Sequence, residues 1–379
     1  MHFIKTYLNQ VECLDFHEMH LRYFGIWHRS NDRLYYLLTI FQVTVQILHA
    51  IASGLFLVSG NYNFLTLIRS GIMISICFLA TYRVILWLIY EKEFEKIYTF
   101  VRSSDFDQTN PIIKRGHVIS YVYGIYLDMA AASIVILSYI PSIIQVIILQ
   151  EDYRNATLPY SNWLPFDMHA SRTNYIFAMI YQMVAFWQNI VMLAGIHSTF
   201  VCLMVKISSH FHLVAVNLSK INAADPNAYI DFKKCVKELE NIEILSKDVN
   251  KLNSPGLTGH FIPIFFIVTA CVLVTTTQPL RGVIPEIVFG VASTLDLFVV
   301  CSCGEEIIYQ SNRIHAQLYA INWNEGTQSF QKAVLLTLLK LNEVKVLHLG
   351  GFLPLQLSTF AQALRAIYSI YTLLNGLEQ

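Results

Sequence analysis

Seven times along this chain an apolar run approaches or exceeds the roughly 20 residues that a helix needs to cross a hydrocarbon core. The first, Leu34 to Val58, holds 25 residues without a charge. Ser70 to Tyr90 carries one, Arg83. The third, Val118 to Leu149, has 32 residues; as a helix it measures about 48 Å and must tilt or protrude. Pro141 is a kink point near its end. Asn174 to Val205, Leu257 to Gln278 and Val283 to Gly304 follow, the last two joined by the tight Pro279-Leu280-Arg281-Gly282 turn. After Gly350-Gly351 and Pro354 a last apolar helix runs almost to Gln379. It bears Gln356, Ser358, Thr359, Gln362, Arg365, Ser369, Thr372 and Asn375. Such side chains are poorly suited to lipid on every side, so something polar is expected along one face.

These runs predict an all-α membrane protein with seven transmembrane helices. The chain is only 14% charged over 379 residues, against roughly 25% in soluble domains. A zero formal net charge gives no reason to expect a nucleic-acid partner. The first 33 residues are dotted with charge and histidine and have no uninterrupted apolar core, so they are not read as a cleavable signal peptide.

Orientation follows from the basic residues. The segment before the first span and the second, fourth and sixth connections hold 20 Lys and Arg; the first, third and fifth connections hold 4. Positive charge stays cytoplasmic, which predicts an inner N-terminus and an outer C-terminus. The sequon Asn155-Ala156-Thr157 falls on a loop thereby placed outside and is the expected glycosylation site. A second sequon, Asn217-Leu218-Ser219, falls inside and is expected to stay bare. The fourth connection reads as a water-exposed amphipathic helix starting near Asp225-Pro226, with Phe232, Val236, Leu239, Ile242, Leu245, Val249 and Leu252 on one face. It is expected to run into the fifth span, with Pro255-Gly256 as a bend. The loop from Glu305 to Lys345 holds a second amphipathic stretch with Val334, Leu338 and Leu341 on one side.

A G-protein-coupled receptor needs the opposite orientation, and the seven cysteines include none in an expected outer loop. Asp-Arg-Tyr and Asn-Pro-x-x-Tyr motifs are also missing at the ends of spans three and seven. No internal repeat points to a duplicated transporter. No nucleophile–base pattern or phosphate-cradling loop points to an enzyme or a cofactor. A metabotropic seven-helix receptor remains the alternative, with a transporter or enzyme third; a current independent of G proteins separates the first from a channel. Cys301-Ser302-Cys303 with Glu305 and Glu306, and His210-Phe211-His212, have spacings unlike zinc sites, so no metal is expected. Arg83 and Asp128, charged within spans two and three at comparable depth, are expected to pair. Asp296 and Glu286 are further acidic candidates in span six, Glu286 beside a cation path.

Over the last 80 residues Tyr309, Ile314 to Tyr319, Trp323, Gly350-Gly351, Leu357-Ser358-Thr359-Phe360 and Tyr368 to Leu374 form a degenerate pattern. With the topology, it resembles the insect odorant receptors. The Thr-Tyr and Gln-Phe string of the gustatory branch is missing, though a gustatory-type channel stays an alternative. The fourth connection is much shorter than that of the similar co-receptor, so the chain resembles a ligand-tuning subunit.

The resemblance implies a subunit of a tetrameric, non-selective cation channel formed with the odorant-receptor co-receptor. It implies the plasma membrane of olfactory sensory neurons, and a small volatile odorant, the bilayer and permeating cations as partners. The chain then divides into a cytoplasmic segment (1–33), spans one to four (34–205) and a cytoplasmic amphipathic anchor (206–256). Spans five and six (257–304), a cytoplasmic loop with an anchor helix (305–345) and a pore-lining helix (346–379) complete it. Odorant is implied among the outer halves of spans two, three, four and six. The candidates there are Gly71, Ser75 and Phe78; Ser133, Ile136, Leu137 and Ile140; Tyr175, Met179, Gln182 and Phe186; and Ile287, Gly290, Val291 and Thr294. Small apolar cavities with few polar groups suit such ligands. For the pore and gate the candidates are Thr372, Leu373, Asn375, Gly376 and Leu377, with Leu373 nearest the family's hydrophobic constriction.

Overall fold

A computed structural model describes residues 13–23, 25–27, 33–58, 64–103, 110–148, 152–153, 158–160, 162–279, 282–341, 346–351 and 353–377. Side chains at 13, 33–35, 64, 147–148 and 375–377 are not part of that description. The described chain is helical apart from a two-stranded hairpin. A short α1 (Cys13–Tyr23) precedes α2 (Arg33–Val58), α3 (Phe64–Ile89) and α4 (Glu91–Val101). Then come α5 (Pro111–Ile143), α6 (Arg172–Ser219), α7 (Ala228–Thr277) and α8 (Ile284–Ala320). α9 (Gln328–Lys340), the hairpin strands β1 (His348–Leu349) and β2 (Leu353–Pro354), and α10 (Leu357–Leu377) complete the order.

Among the described residues six helices (α2, α3, α5, α6, α7 and α8) are long and apolar enough to cross a membrane. α10 has 21 residues and thus the length, but its polar side chains leave it less apolar than the six. α6 is the axis of the bundle: 94% of its apolar window is buried, against 28% for α2 and for α5. It packs on α1, α2, α3, α5, α7 and α8.

Helix ends depart from the expected runs where capping or a buried face overrides polarity. Residues 111–117, expected in a loop, open α5, because the Asn110 side chain accepts the Ile112 N–H and Pro111 suits the first turn. Just beyond Pro141 the helix widens into a π-turn, Ile144–Ile148. α7 starts at Ala228, slightly after the expected cap, and runs through Pro255 and Pro263 without interruption. Of its expected apolar face Phe232, Leu239, Ile242, Leu245, Val249 and Leu252 are buried. α8 continues to Ala320 rather than giving way to a loop at Glu305, since Ile307, Ile314 and Leu318 extend a buried face at helical spacing.

Close approach of helices in lipid depends on small residues and on satisfied polar groups, not on apolar burial alone. α3 closes on α7 in this way. A Cβ on Gly259 would lie 2.0 Å from the Tyr82 ring, and one on Gly256 2.5 Å from the Arg83 guanidinium. The Tyr82 hydroxyl donates to the Pro255 carbonyl at 3.0 Å. α1 is held against α5 and α6 by polar contacts. His17 bridges Ser120 of α5 and Ser198 of α6, and Arg102 after α4 pairs with Glu18 and Asp15.

Candidate functional site

The described residues line a cavity of about 80 Å³ between the helices of the bundle. Five helices wall it: α3 with Ile76 and Leu79, α5 with Leu127, Ala130, Ala131 and Ile134, and α6 with Ile190, Leu193, Ala194 and His197. α7 adds His260, Ile264 and Ile267, and α8 adds Phe289, Ala292, Ser293 and Asp296. Alanines on α5, α6 and α8 leave the space that the larger side chains surround. The lining is apolar except at one end.

That end is a charge network built from five helices. Asp296 of α8 accepts hydrogen bonds from the Tyr123 hydroxyl of α5 and from His260 Nε2 of α7, the latter at 2.9 Å. His197 Nε2 of α6 lies 3.1 Å from the other carboxylate oxygen, and the two imidazoles stack at 4.2 Å. Arg83 Nη2 of α3 stands 3.4 Å from His197 Nδ1, and its guanidinium lies 5.3 Å from the Phe200 ring centroid. All of these side chains are buried. One negative charge, Asp296, is therefore set against one positive charge, Arg83, with the two imidazoles between them. Burying either charge alone carries a large desolvation cost, and together the cost is reduced.

His197, His260 and Asp296 bring ligand-type atoms within 4.8 Å of one another, the spacing of a metal site. The neighbouring Arg83 decides against that chemistry. A guanidinium only donates, so His197 Nδ1 must offer its lone pair, and the ring proton then sits on Nε2, facing Asp296. A cation at Nε2 would have to displace that proton beside a fixed positive charge. The cluster is a hydrogen-bonded charge network.

The expected Arg83–Asp128 pair does not form. Asp128 Oδ2 lies 3.6 Å from His20 Nδ1 of α1, whereas Arg83 turns to His197. Comparable depth set the expectation, but the faces differ: α3 packs on α2, α6 and α7, and α5 on α1, α6 and α8. Glu286 is paired as well, 2.7 Å from Arg69 Nε, so it is no free acidic group.

None of the ligand candidates read from the sequence lines this cavity. Tyr175, Met179 and Phe186 are buried in a second apolar cluster with Tyr139, Tyr160, Ile134 and Ile267, the last two shared with the cavity wall. Gln182 is buried beside them and donates to the Tyr160 carbonyl at 2.7 Å. Ile287, Gly290, Val291 and Thr294 line an open groove between α7 and α8. Gly71 faces the Phe266 ring, Ser75 donates to the Gly71 carbonyl and Ser133 to the Met129 carbonyl. Phe78, Ile136 and Ile140 are exposed and Leu137 half-buried. Of the pore candidates, Thr372 donates to the Ser369 carbonyl and Leu373 is 65% exposed. Asn375, Gly376 and Leu377 lie in α10 with side chains outside the described residues, as does Asn155 altogether. His197, His260 and Tyr123 went unnoticed in the sequence. The signal was there: polar side chains inside apolar runs, in the company of Asp296.

A sequence model of the family described as 7tm odorant receptor matches residues 63–368. The chain is 24% identical over 237 residues to odorant receptor 2a and 23% identical over 224 residues to odorant receptor 23a, both of Drosophila melanogaster. These alignments cover 57% and 58% of this chain and 59% of the length of each relative. Its fold is similar to that of the insect olfactory receptor OR5 from Machilis hrabei in complex with eugenol. The TM-score is 0.83 and the identity 13%, over 96% of this chain and 97% of that one. A multi-pass bundle of apolar helices around an internal cavity, matched by the family model over most of its length, makes this chain a member of the 7tm odorant receptor family.

Proposed function

We propose that this chain is the ligand-tuning subunit of an odorant-gated, non-selective cation channel, a tetramer with the odorant-receptor co-receptor. The observation that carries this reading is the apolar cavity with one polar end inside the bundle, whose lining suits a small apolar molecule with one polar group. Eugenol, bound by the Machilis hrabei receptor, is a molecule of that kind. The Tyr175, Met179, Gln182 and Phe186 layer is the wall between this cavity and the outer surface, and ligand passes it or the α7–α8 groove on its way in.

In this reading the N-terminus is cytoplasmic, the C-terminus is outside, and α10 is the seventh span. α10 leans on the bundle through Ile367, against Leu79, Ile264 and Val268. Gln362, Leu364, Arg365, Tyr368, Ile370 and Leu373 stay exposed. Neighbouring subunits and the pore cover those faces. Leu373 forms the constriction, gating by dewetting, with Thr372, Asn375, Gly376 and Leu377 around it. The end of α6, the first half of α7, the end of α8 and α9 make the cytoplasmic anchor. The site of action is the plasma membrane of olfactory sensory neurons.

The test is odorant-evoked current in cells expressing the chain with the co-receptor, recorded from excised patches without nucleotides or G proteins. Persistent current is expected. Current that vanishes on excision and returns only with G protein would instead support a metabotropic receptor.

A further inference from the structure

We propose that the free ring nitrogen of His260 selects odorants carrying a hydroxyl donor, so that this receptor's ligands are small apolar alcohols and phenols rather than ethers, esters or ketones. The inference rests on the channel reading above for where the ligand sits.

His260 lines the cavity and is 2% exposed. Asp296 accepts its Nε2 proton, and Nδ1 is buried with no hydrogen-bond partner among the described residues. The ring is neutral: the single charge of Asp296 is already balanced by Arg83, and a second cation here would be buried uncompensated. A neutral imidazole has one donor and one acceptor. With the donor on Asp296, the remaining nitrogen is a lone pair, whichever way the ring is turned. His197 differs, since Arg83 already donates to its lone pair. His260 is thus the one of the two imidazoles with acceptor capacity to spare.

A ligand hydroxyl within reach of that nitrogen satisfies it, while Ile76, Leu79, Leu127, Ile134, Ile264 and Phe289 take the hydrocarbon body. An ether oxygen in the same place sets lone pair against lone pair and leaves the imidazole unpaired. Sites built around a buried hydrogen-bonding group reject analogues that cannot complete it.

The test uses isomers that differ in the donor and in little else: octan-1-ol against 1-methoxyheptane, and 2-phenylethanol against benzyl methyl ether. In cells expressing the chain with the co-receptor, each alcohol is expected to act at about tenfold lower concentration than its ether, the effect of one hydrogen bond. His260→Phe is expected to abolish that preference and His260→Gln, which keeps an acceptor, to retain it. Equal potency of alcohol and ether, or silence to all four while other odorants evoke current, overturns the inference and leaves the channel reading standing. Silence to every odorant counts against the channel reading instead. Thermal shift of the purified protein then decides: a larger shift with the alcohols supports the inference, and equal shifts or none overturn it. If the His260 variants do not reach the surface, the wild-type comparison is sufficient.

Discussion

Asp296 is the residue on which the centre of the bundle depends, because it holds Tyr123 and His260 by hydrogen bonds, approaches His197, and offsets the charge of Arg83. Asp296→Asn keeps the shape and removes the charge, which leaves a guanidinium buried without its counter-charge. Leaving a buried polar group without its compensating interaction costs about 1–3 kcal/mol. The variant is expected to unfold at a markedly lower temperature in detergent, read by fluorescence-detected size exclusion. Arg83→Met added to Asp296→Asn removes the stranded cation and is expected to recover part of the loss. A double variant as unstable as the two single losses added together would show that the charges do not offset each other. Arg83→Met alone is expected to be destabilising too, through the stranded carboxylate.

At the scale of elements, the position of α10 is set by the segment that delivers it. β1 and β2 pair His348 with Pro354 and Leu349 with Leu353. Gly350 and Gly351 turn the hairpin at φ of 58° and 80°, a region that side chains other than glycine adopt only under strain. The hairpin is tied to α7 by Ser254, whose hydroxyl accepts the Gly351 N–H at 3.2 Å. The chain then crosses α8 at Gly304, where a Cβ would stand 2.2 Å from the Leu355 carbonyl oxygen. That neighbour is backbone and cannot rotate aside. Gly304→Ala is expected to cost about 1–3 kcal/mol by overpacking, lowering the thermal midpoint and shifting the start of α10. Gly54→Ala in α2, with nothing within 4 Å of the added carbon, is the matched control and is expected to stabilise slightly, by about 0.5–1 kcal/mol. Equal midpoints for the two variants would mean that the crossing is loose.

On the scale of the whole molecule, what could be read from the sequence was what depends on one helix at a time. Apolar length marked the six long helices, and the spacing of Phe232 through Leu252 marked the buried face of α7. What depends on several helices at once was not legible. Depth along a span follows from counting residues, but direction around a helix follows from its neighbours, so Arg83 was assigned to Asp128 instead of to His197. The cavity shares this origin: its lining comes from five helices, and the candidates on spans two, three, four and six fell on other layers or faces. Capping and buried faces likewise extended α5 and α8 into regions whose polarity read as loop. Orientation is the remaining global property, and the basic residues bear on it through their 20 to 4 distribution. With the N-terminus inside, Asn155 faces the lumen during synthesis, while Asn217, in the last turn of α6, does not. Glycosidase treatment is therefore expected to lower the apparent mass of the wild type and of Asn217→Gln, and to leave Asn155→Gln unchanged. Glycosidase-sensitive mass that survives in Asn155→Gln and disappears in Asn217→Gln would turn the molecule over. It would put α9 and the exposed half of α7 outside the cell, and with them the anchor through which subunits are proposed to meet.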